Sequence, residues 1–358
     1  MKKATLQMLK ELTEANGVPG FETEIREIIK KHLGGLTAIS YDGLGSIICE
    51  KRGASPEPRI MLPGHMDEIG FMVKLIDKEG FIRFAPLGGW FDQTLLAQQV
   101  LILTDKGPVP GVIGSKPPHI LPPEERGKVI IKKNMFIDVG ATSRKQAEKE
   151  FGIRIGNPIV PRAGFEVMKN PKLLMAKAWD DRVGVGLFID VIKALADEKH
   201  PNAVYGVGTV QEEVGTRGAE TSADVVNPDV CIVLDVGIAA DTPGISPEEA
   251  QGKIGKGPIL YALDAGSIAH HRFHAFMVKL AEKEKIPYQL SVLEGGATDG
   301  RAIQLHQRGV PTVNVAIATR YIHSHTGIIH VDDYDAALRL LLEAIKRLDA
   351  KTVASFKD

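Results

Sequence analysis

AVYGVGTVQEEVGTRGAETSADVVNPDVCIVLDVG, residues 203–237, holds two short apolar runs, AVYGVGTV and VCIVLDVG, and each of them ends in acidic residues. The runs read as β-strands. Acidic residues are poor sheet formers, so Glu212, Glu213 and Asp235 mark strand ends. Burying such carboxylates is costly unless they are paired or hold a cation.

Outward from this stretch, the pattern is α/β. Residues 181–197 carry Val183, Leu187, Phe188, Val191, Ile192 and Leu195 at helical spacing. Helices expected at about 270–284 and 299–308 alternate with strands YQLSVL and TVNVAIAT, and a last helix is expected over 332–348. Strands alternating with helices imply a largely parallel or mixed sheet. Upstream, residues 4–14 and 22–33 read as helices around the turn NGVPGFE, followed by strands TAISYD, GSIICEK and RIMLPGHM.

Between about 71 and 160 the character changes. Short runs such as FMVKLI, FIRFAP, VLILT and GVIG are separated by Gly and Pro, as in a small β-barrel or sandwich. Within it, the proline-rich GSKPPHILPPEERGKV is expected to be an exposed, mobile loop, and SRKQAEKEF (143–151) a short helix. The simplest architecture is one α/β domain, 1–70 plus 161–358, interrupted by a β-rich insertion at 71–160.

Bulk properties exclude several classes. The 358 residues carry a net charge of −1, so no global field favours nucleic acid or an anionic membrane. No apolar stretch approaches the ~18 residues of a membrane span. The N-terminus begins Met1-Lys2-Lys3 but continues as an amphipathic helix, with Leu6, Leu9 and Leu12 among Lys10, Glu11 and Glu14. Only Cys49 and Cys231 are present, both in strand-like runs, which argues against a disulfide framework or a thiolate metal site. The cytoplasm is the expected location.

Five places carry metal-ligand chemistry. Ligands in open α/β sheets gather at the carboxyl ends of strands. In Gly64-His65-Met66-Asp67-Glu68, His65 and Asp67 share a face because strand side chains repeat every two residues. Asp180 and Asp181 precede a helix, where they could equally serve the helix dipole. Glu212 and Glu213 follow one strand, Asp235 ends another, and His323 and His325 lie beyond TVNVAIATR. Each signal alone also fits a capping, solvated or structural residue. As a set, they supply the nitrogen and oxygen donors that zinc, cobalt or manganese accept. Five donors hold two metals if one carboxylate bridges, and paired metals are a known solution for hydrolysis.

The motifs GHMDEIGF, AWDDRVG, VQEEVGTRGA, LDV, GGATDG and RYIHSHTG, in that order, resemble the tetrahedral aminopeptidase family, dinuclear metallopeptidases with glutamyl, leucyl and deblocking members. The resemblance covers nearly the whole chain. It implies a mixed-sheet metallopeptidase domain with an inserted barrel-like dimerisation domain, and two divalent metals, zinc or cobalt, per subunit. Asp180 would bridge; His65 and Asp235 would complete one site, Glu213 and His323 the other. Glu212 would be the general base, and Asp67 would support His65 and the electrophilic centre. Asp181 is not expected to be a ligand, and His325 reads as a supporting or surface residue. Short peptides are the implied substrates, and dimers assembling into a tetrahedral dodecamer the implied state. The proline-rich loop at 115–127 is a candidate for contacting a neighbouring subunit.

Other readings remain open at this point. A glycoside hydrolase needs two carboxyls roughly 5–9 Å apart but leaves His65 and His323 unexplained. A non-catalytic assembly protein on the same fold is a second alternative, and a two-metal carboxypeptidase or deacylase a third. Glu294, Thr298 and Asp299 either line the pocket for the first residue or form a Gly-rich turn before a capped helix.

Overall fold

The computed structural model describes residues 1–357. Helices α1 (Lys3–Glu14) and α2 (Thr23–Leu33) open the chain, and strands β1 (Ala38–Tyr41), β2 (Ile47–Arg52) and β3 (Arg59–His65) follow. α1 buries Met8, Leu9 and Leu12 along one stripe, the spacing of a helix with one face on a core.

The chain leaves the sheet at His65 and enters a closed barrel at Gly70. Its strands are β4 (Gly70–Ile76), β5 (Ile82–Leu87), β6 (Gln99–Thr104), β7 (Gly107–Gly114), β8 (Phe136–Asp138) and β9 (Pro158–Pro161). They close in the order β4-β5-β8-β7-β6-β9, with every pair antiparallel. Closure removes the unpaired edges that a six-stranded sheet would otherwise expose. The barrel has its own core, built on Phe71, Val73, Ile82, Val100, Ile102 and Ile137.

Beyond the barrel come β10 (Glu166–Val167), β11 (Leu173–Ala176), α3 (Trp179–Ala194), β12 (Ala203–Thr209), α4 (Arg217–Val226) and β13 (Val230–Ile238). Then follow β14 (Ile259–Leu263), α5 (His271–Lys283), β15 (Gln289–Val292), α6 (Gly300–Ile303), β16 (Thr312–Thr319), β17 (Gly327–His330), α7 (Val331–Ile345) and α8 (Ala350–Ala354). The main sheet has eight strands in the order β1-β2-β12-β3-β13-β16-β14-β15. Its centre, β12-β3-β13-β16, is parallel; β1 and β2 run antiparallel to their neighbours, and β14 runs against β16 but parallel to β15. It is therefore a mixed sheet. The central strands are buried almost throughout, as parallel strands covered on both faces must be. α3 is among the most buried helices and packs on β3 and β13.

One local expectation is corrected. The helix expected at 299–308 stops at Ile303 and gives way to turns, with Gln307 and Gly309 at positive φ (48° and 93°). SRKQAEKEF forms the expected short helix over 144–150, with π-type geometry at Gln146–Glu150. α4, which the pattern did not suggest, buries only small residues and one Val: Gly218, Ala219, Ser222, Ala223 and Val226. The proline-rich segment contains two short 3-10 turns, at 118–120 and 123–125, and is mostly exposed.

Candidate metal centre

The parallel strands bring their carboxyl ends to one edge. His65 ends β3 directly beside Thr209, the last residue of β12. Asp235 lies on the neighbouring β13, and the turn carrying His323 follows β16. Asp180 stands at the head of α3, with Asp181 beside it across a cis peptide bond. Topology thus gathers residues from five separate segments.

Two donor groups result. His65, Asp180 and Asp235 present ligand atoms all within 4.8 Å of one another, and so do Asp180, Glu213 and His323. Asp180 belongs to both. Its Oδ1 is 2.9 Å from His65 Nε2 and its Oδ2 is 3.4 Å from His323 Nε2. Glu213 Oε2 lies 3.5 Å from the same His323 nitrogen. Glu212 belongs to neither group but reaches their edge, with Oε2 3.9 Å from His65 Nε2.

Each imidazole is turned by a main-chain carbonyl. His65 Nδ1 donates to the Asp67 carbonyl (2.9 Å), and His323 Nδ1 donates to the Gly89 carbonyl (2.7 Å). A carbonyl can only accept, so Nδ1 carries a proton and Nε2 is the atom that faces the carboxylates. Nε2 and a carboxylate oxygen 2.9 Å apart need a proton or a metal cation between them. This orientation is that of a histidine prepared for a cation.

The carboxylates point the same way. Burial pushes Glu213 up to about 8, helped by the Asp180 charge. Burial and the Asp180 charge also hold Asp235 well above the usual carboxylate range. Glu213 Oε1 is buried without a hydrogen-bond partner. Burial pulls His323 down, but the Asp180 contact and the Glu213 charge override it and lift the ring to about 10. Crowded carboxylates, ring nitrogens aimed inward and an unpaired buried oxygen fit divalent cations bound by N and O donors.

Asp67 takes a different place from the one expected. Its carboxylate comes no closer than 3.7 Å to His65 Nδ1. Instead it accepts the backbone N–H groups of Glu212 and Glu213, one on each oxygen, at 3.0 Å. Only its main chain orients His65. The adjacent glutamates both reach the centre because β12 has already ended.

Several supporting contacts were not legible in the sequence. Asp181 accepts the His65 N–H (3.0 Å) and the Gly184 N–H (2.9 Å), tying β3 to the head of α3. Glu68 pairs with buried Lys177 and lies 3.6 Å from Arg182, whose guanidinium also holds the carbonyls of Leu12 and Gly17. The doubled acid of AWDDR was the only local sign of Asp181. His325, on neither donor set, is buried against Trp90, with ring centroids 5.2 Å apart. Asp299 is buried on Thr209 Oγ1 (2.5 Å), whereas Glu294 is exposed.

Ala178, Gln211 and His323, beside or within the centre, have positive φ (55°, 57° and 58°). Such backbone costs roughly 1–3 kcal/mol per residue and gathers at functional sites.

A mixed α/β sheet with an inserted barrel and a histidine–carboxylate centre at its carboxyl edge defines the class: a metallohydrolase scaffold. The family model described as M42 glutamyl aminopeptidase matches residues 45–340, and the chain belongs to this M42 peptidase family. The glutamyl aminopeptidase of Lactococcus lactis is 35% identical over 98% of both chains. The lysyl aminopeptidase of Pyrococcus furiosus is 34% identical over 96% of this chain and 98% of its own. A solved TET aminopeptidase from a marine sediment Thaumarchaeota archaeon superposes with TM-score 0.97 at 47% identity, covering 99% of each chain. The PhTET1-12s structure, a dodecamer, gives 0.86 at 32%, covering 97% of this chain and all of its own.

Proposed function

We propose that this protein removes N-terminal residues from short peptides, with His65, Asp180, Glu213, Asp235 and His323 holding two divalent metals and Glu212 acting as general base. The single observation carrying this reading is the sharing of Asp180 between two donor groups whose histidines aim Nε2 inward. Membership of the M42 family and whole-length likeness to glutamyl and lysyl aminopeptidases support metal-dependent aminopeptidase activity.

When bound, a metal pair supplies Lewis-acid polarisation of the scissile carbonyl and acidification of the attacking water. The protein's part is to hold and move protons. Burial keeps the Glu212 carboxyl well above its ordinary range, against the pull of the His65 charge. A carboxylate of raised proton affinity accepts a proton from water and returns it to the leaving amine. Asp67 anchors the amides on either side of that carboxylate's attachment. Asp181 and the two carbonyls fix the ring planes, so that reacting groups meet without reorganisation.

Zinc and cobalt suit the N/O donors, with neither preferred by the donor set. Both cysteines are buried and free, which fits a reducing compartment such as the cytoplasm. Among the described residues no helix is long and apolar enough to cross a membrane. Self-association fits the dodecameric relative, with 71–160 as the dimerisation domain and the 115–127 loop at a subunit contact. A glycosidase reading leaves both inward-facing histidines without a task.

The test is hydrolysis of leucine, glutamate and lysine p-nitroanilides with added zinc or cobalt. Turnover is expected on at least one, with N-acetylated peptides resistant and chelator abolishing activity. Chelator-resistant turnover, or equal cleavage of acetylated peptides, sinks the reading.

A further inference from the structure

We propose that Glu22 is a positioning residue for the reaction: its buried carboxyl fixes the amide of Gln211 and so sets the direction in which Glu212 and Glu213 leave strand β12. The inference rests on the aminopeptidase reading for its kinetic consequence, and on geometry alone for its structural one.

The chain reverses just past Thr209, with Gln211 at φ 57°. From there, three consecutive amides converge on two carboxylates. Glu212 N–H and Glu213 N–H go to the two oxygens of Asp67, and Gln211 N–H goes to Glu22 Oε1 at 3.2 Å. Successive backbone amides around a left-handed residue form a concave nest that favours an anionic or strongly accepting partner. Further along, the turn is closed by Gly215 N–H and Thr216 N–H on the Glu212 carbonyl (2.9 and 2.8 Å). Its start is the part that Glu22 holds.

Glu22 stands at the N-cap position of α2, yet its side chain makes no cap bond to that helix. It is turned away towards the site. The same oxygen accepts Gly20 N–H (2.7 Å), which pins the carboxyl within the GVPGFE turn. That turn is itself anchored: the Gly17 carbonyl takes Glu68 N–H (2.8 Å) and the Arg182 guanidinium (3.1 Å). The N-terminal segment thus reaches the proton acceptor through one rigid chain of contacts. Glu22 is 5% exposed and belongs to neither donor group. The role needs an acceptor at Oε1, not a negative charge. Burial and the neighbouring Asp67 charge both favour the neutral acid, whose carbonyl oxygen accepts equally well.

The experiment compares Glu22→Gln, Glu22→Ala and Glu22→Met in the full-length, metal-loaded protein. Readouts are kcat, KM, metal per subunit and hydrogen exchange of the 209–215 amides. Glu22→Gln, which keeps the acceptor, is expected to stay within threefold of wild-type kcat with unchanged exchange. Glu22→Ala and Glu22→Met are expected to lose tenfold or more in kcat, with KM and metal content within threefold and faster exchange at 209–215. Should neither fold, Glu22→Asp, one methylene too short to reach Gln211, is judged by the same criteria. The inference is overturned if a folded acceptor-less variant keeps kcat within threefold, if Glu22→Gln loses as much as Glu22→Ala, or if the loss follows loss of metal. If the wild type cleaves no peptide, the aminopeptidase reading fails; unchanged exchange in the acceptor-less variants would then overturn the positioning role independently.

Discussion

At the scale of single residues, the centre depends on which atom of each group is already occupied. Both histidines spend Nδ1 on a carbonyl, so Nε2 is committed to the interior. Asp67 spends both oxygens on the amides of Glu212 and Glu213, leaving those side chains free to work. Replacing Glu212 by Gln removes the proton acceptor with little change of shape. We expect kcat to fall by about a hundredfold or more while metal content, measured by elemental analysis, stays at the wild-type level. Near-normal turnover of the purified variant would contradict the general-base role. Glu22 carries a second prediction. Burial and Asp67 raise its carboxyl to about 7 from an ordinary 4.5. A raised carboxyl favours the protonated fold, so its contribution is full below about pH 4.5 and is lost as pH rises through 7. Glu22→Gln should therefore melt above the wild type at pH 8 and with it at pH 4. A Tm difference that is the same at both pH values contradicts this.

At the scale of elements, β3 and the head of α3 are joined by one carboxylate. Asp181 lies between them, accepting His65 N–H from the strand and Gly184 N–H from its own helix. Room for it exists because residue 184 has no side chain. A Cβ there would sit 2.6 Å from Asp181 Oδ1 and 2.7 Å from the Leu234 carbonyl, a main-chain atom of β13. Helix and sheet would have to part. Gly184→Ala is expected to cost about 1–3 kcal/mol in thermal or denaturant unfolding, the range for overpacking, and to weaken metal retention by displacing His65. A variant with wild-type Tm and metal content would show that Asp181 is dispensable there. The other elements at the site work by ending. β12 stops at Thr209, and its termination frees adjacent residues from alternate faces.

At the scale of the whole molecule, the barrel and the sheet are separate cores meeting at the site. His323 bonds to Gly89 and His325 packs on Trp90, both from the segment between β5 and β6. The inserted unit therefore helps to orient His323, a candidate ligand of the main domain. Its surface also carries exposed Ile120, Val129 and Ile131, at 64, 52 and 49%, in or beside the proline-rich segment. That makes this segment a candidate for the subunit contact. With Ile120→Glu and Ile131→Glu together, light scattering is expected to report a smaller assembly than wild type. An unchanged mass would place the subunit contact elsewhere.

The sequence by itself determined the elements whose signal is local. Helical spacing of apolar residues marked α1, α2, α3, α5 and α7, and short apolar runs followed by acids marked β12 and β13, although β13 continues past Asp235 to Ile238. The change of period after Phe71 announced a β-rich insertion. Local signal was missed where the buried residues are small. The stripe Gly218, Ala219, Ser222, Ala223 and Val226 has helical spacing but no large apolar side chain to mark it as α4, and α6 ends at Ile303, well short of the expected helix. Only the tertiary structure decided that the Asp67 carboxylate takes the amides of Glu212 and Glu213, that Glu22 takes the amide of Gln211, and that Asp181 takes the amide of His65. The physical reason is range. Propensity and periodicity act over a few residues, whereas the direction of a buried hydrogen bond depends on which unpaired donor the folded chain brings within reach.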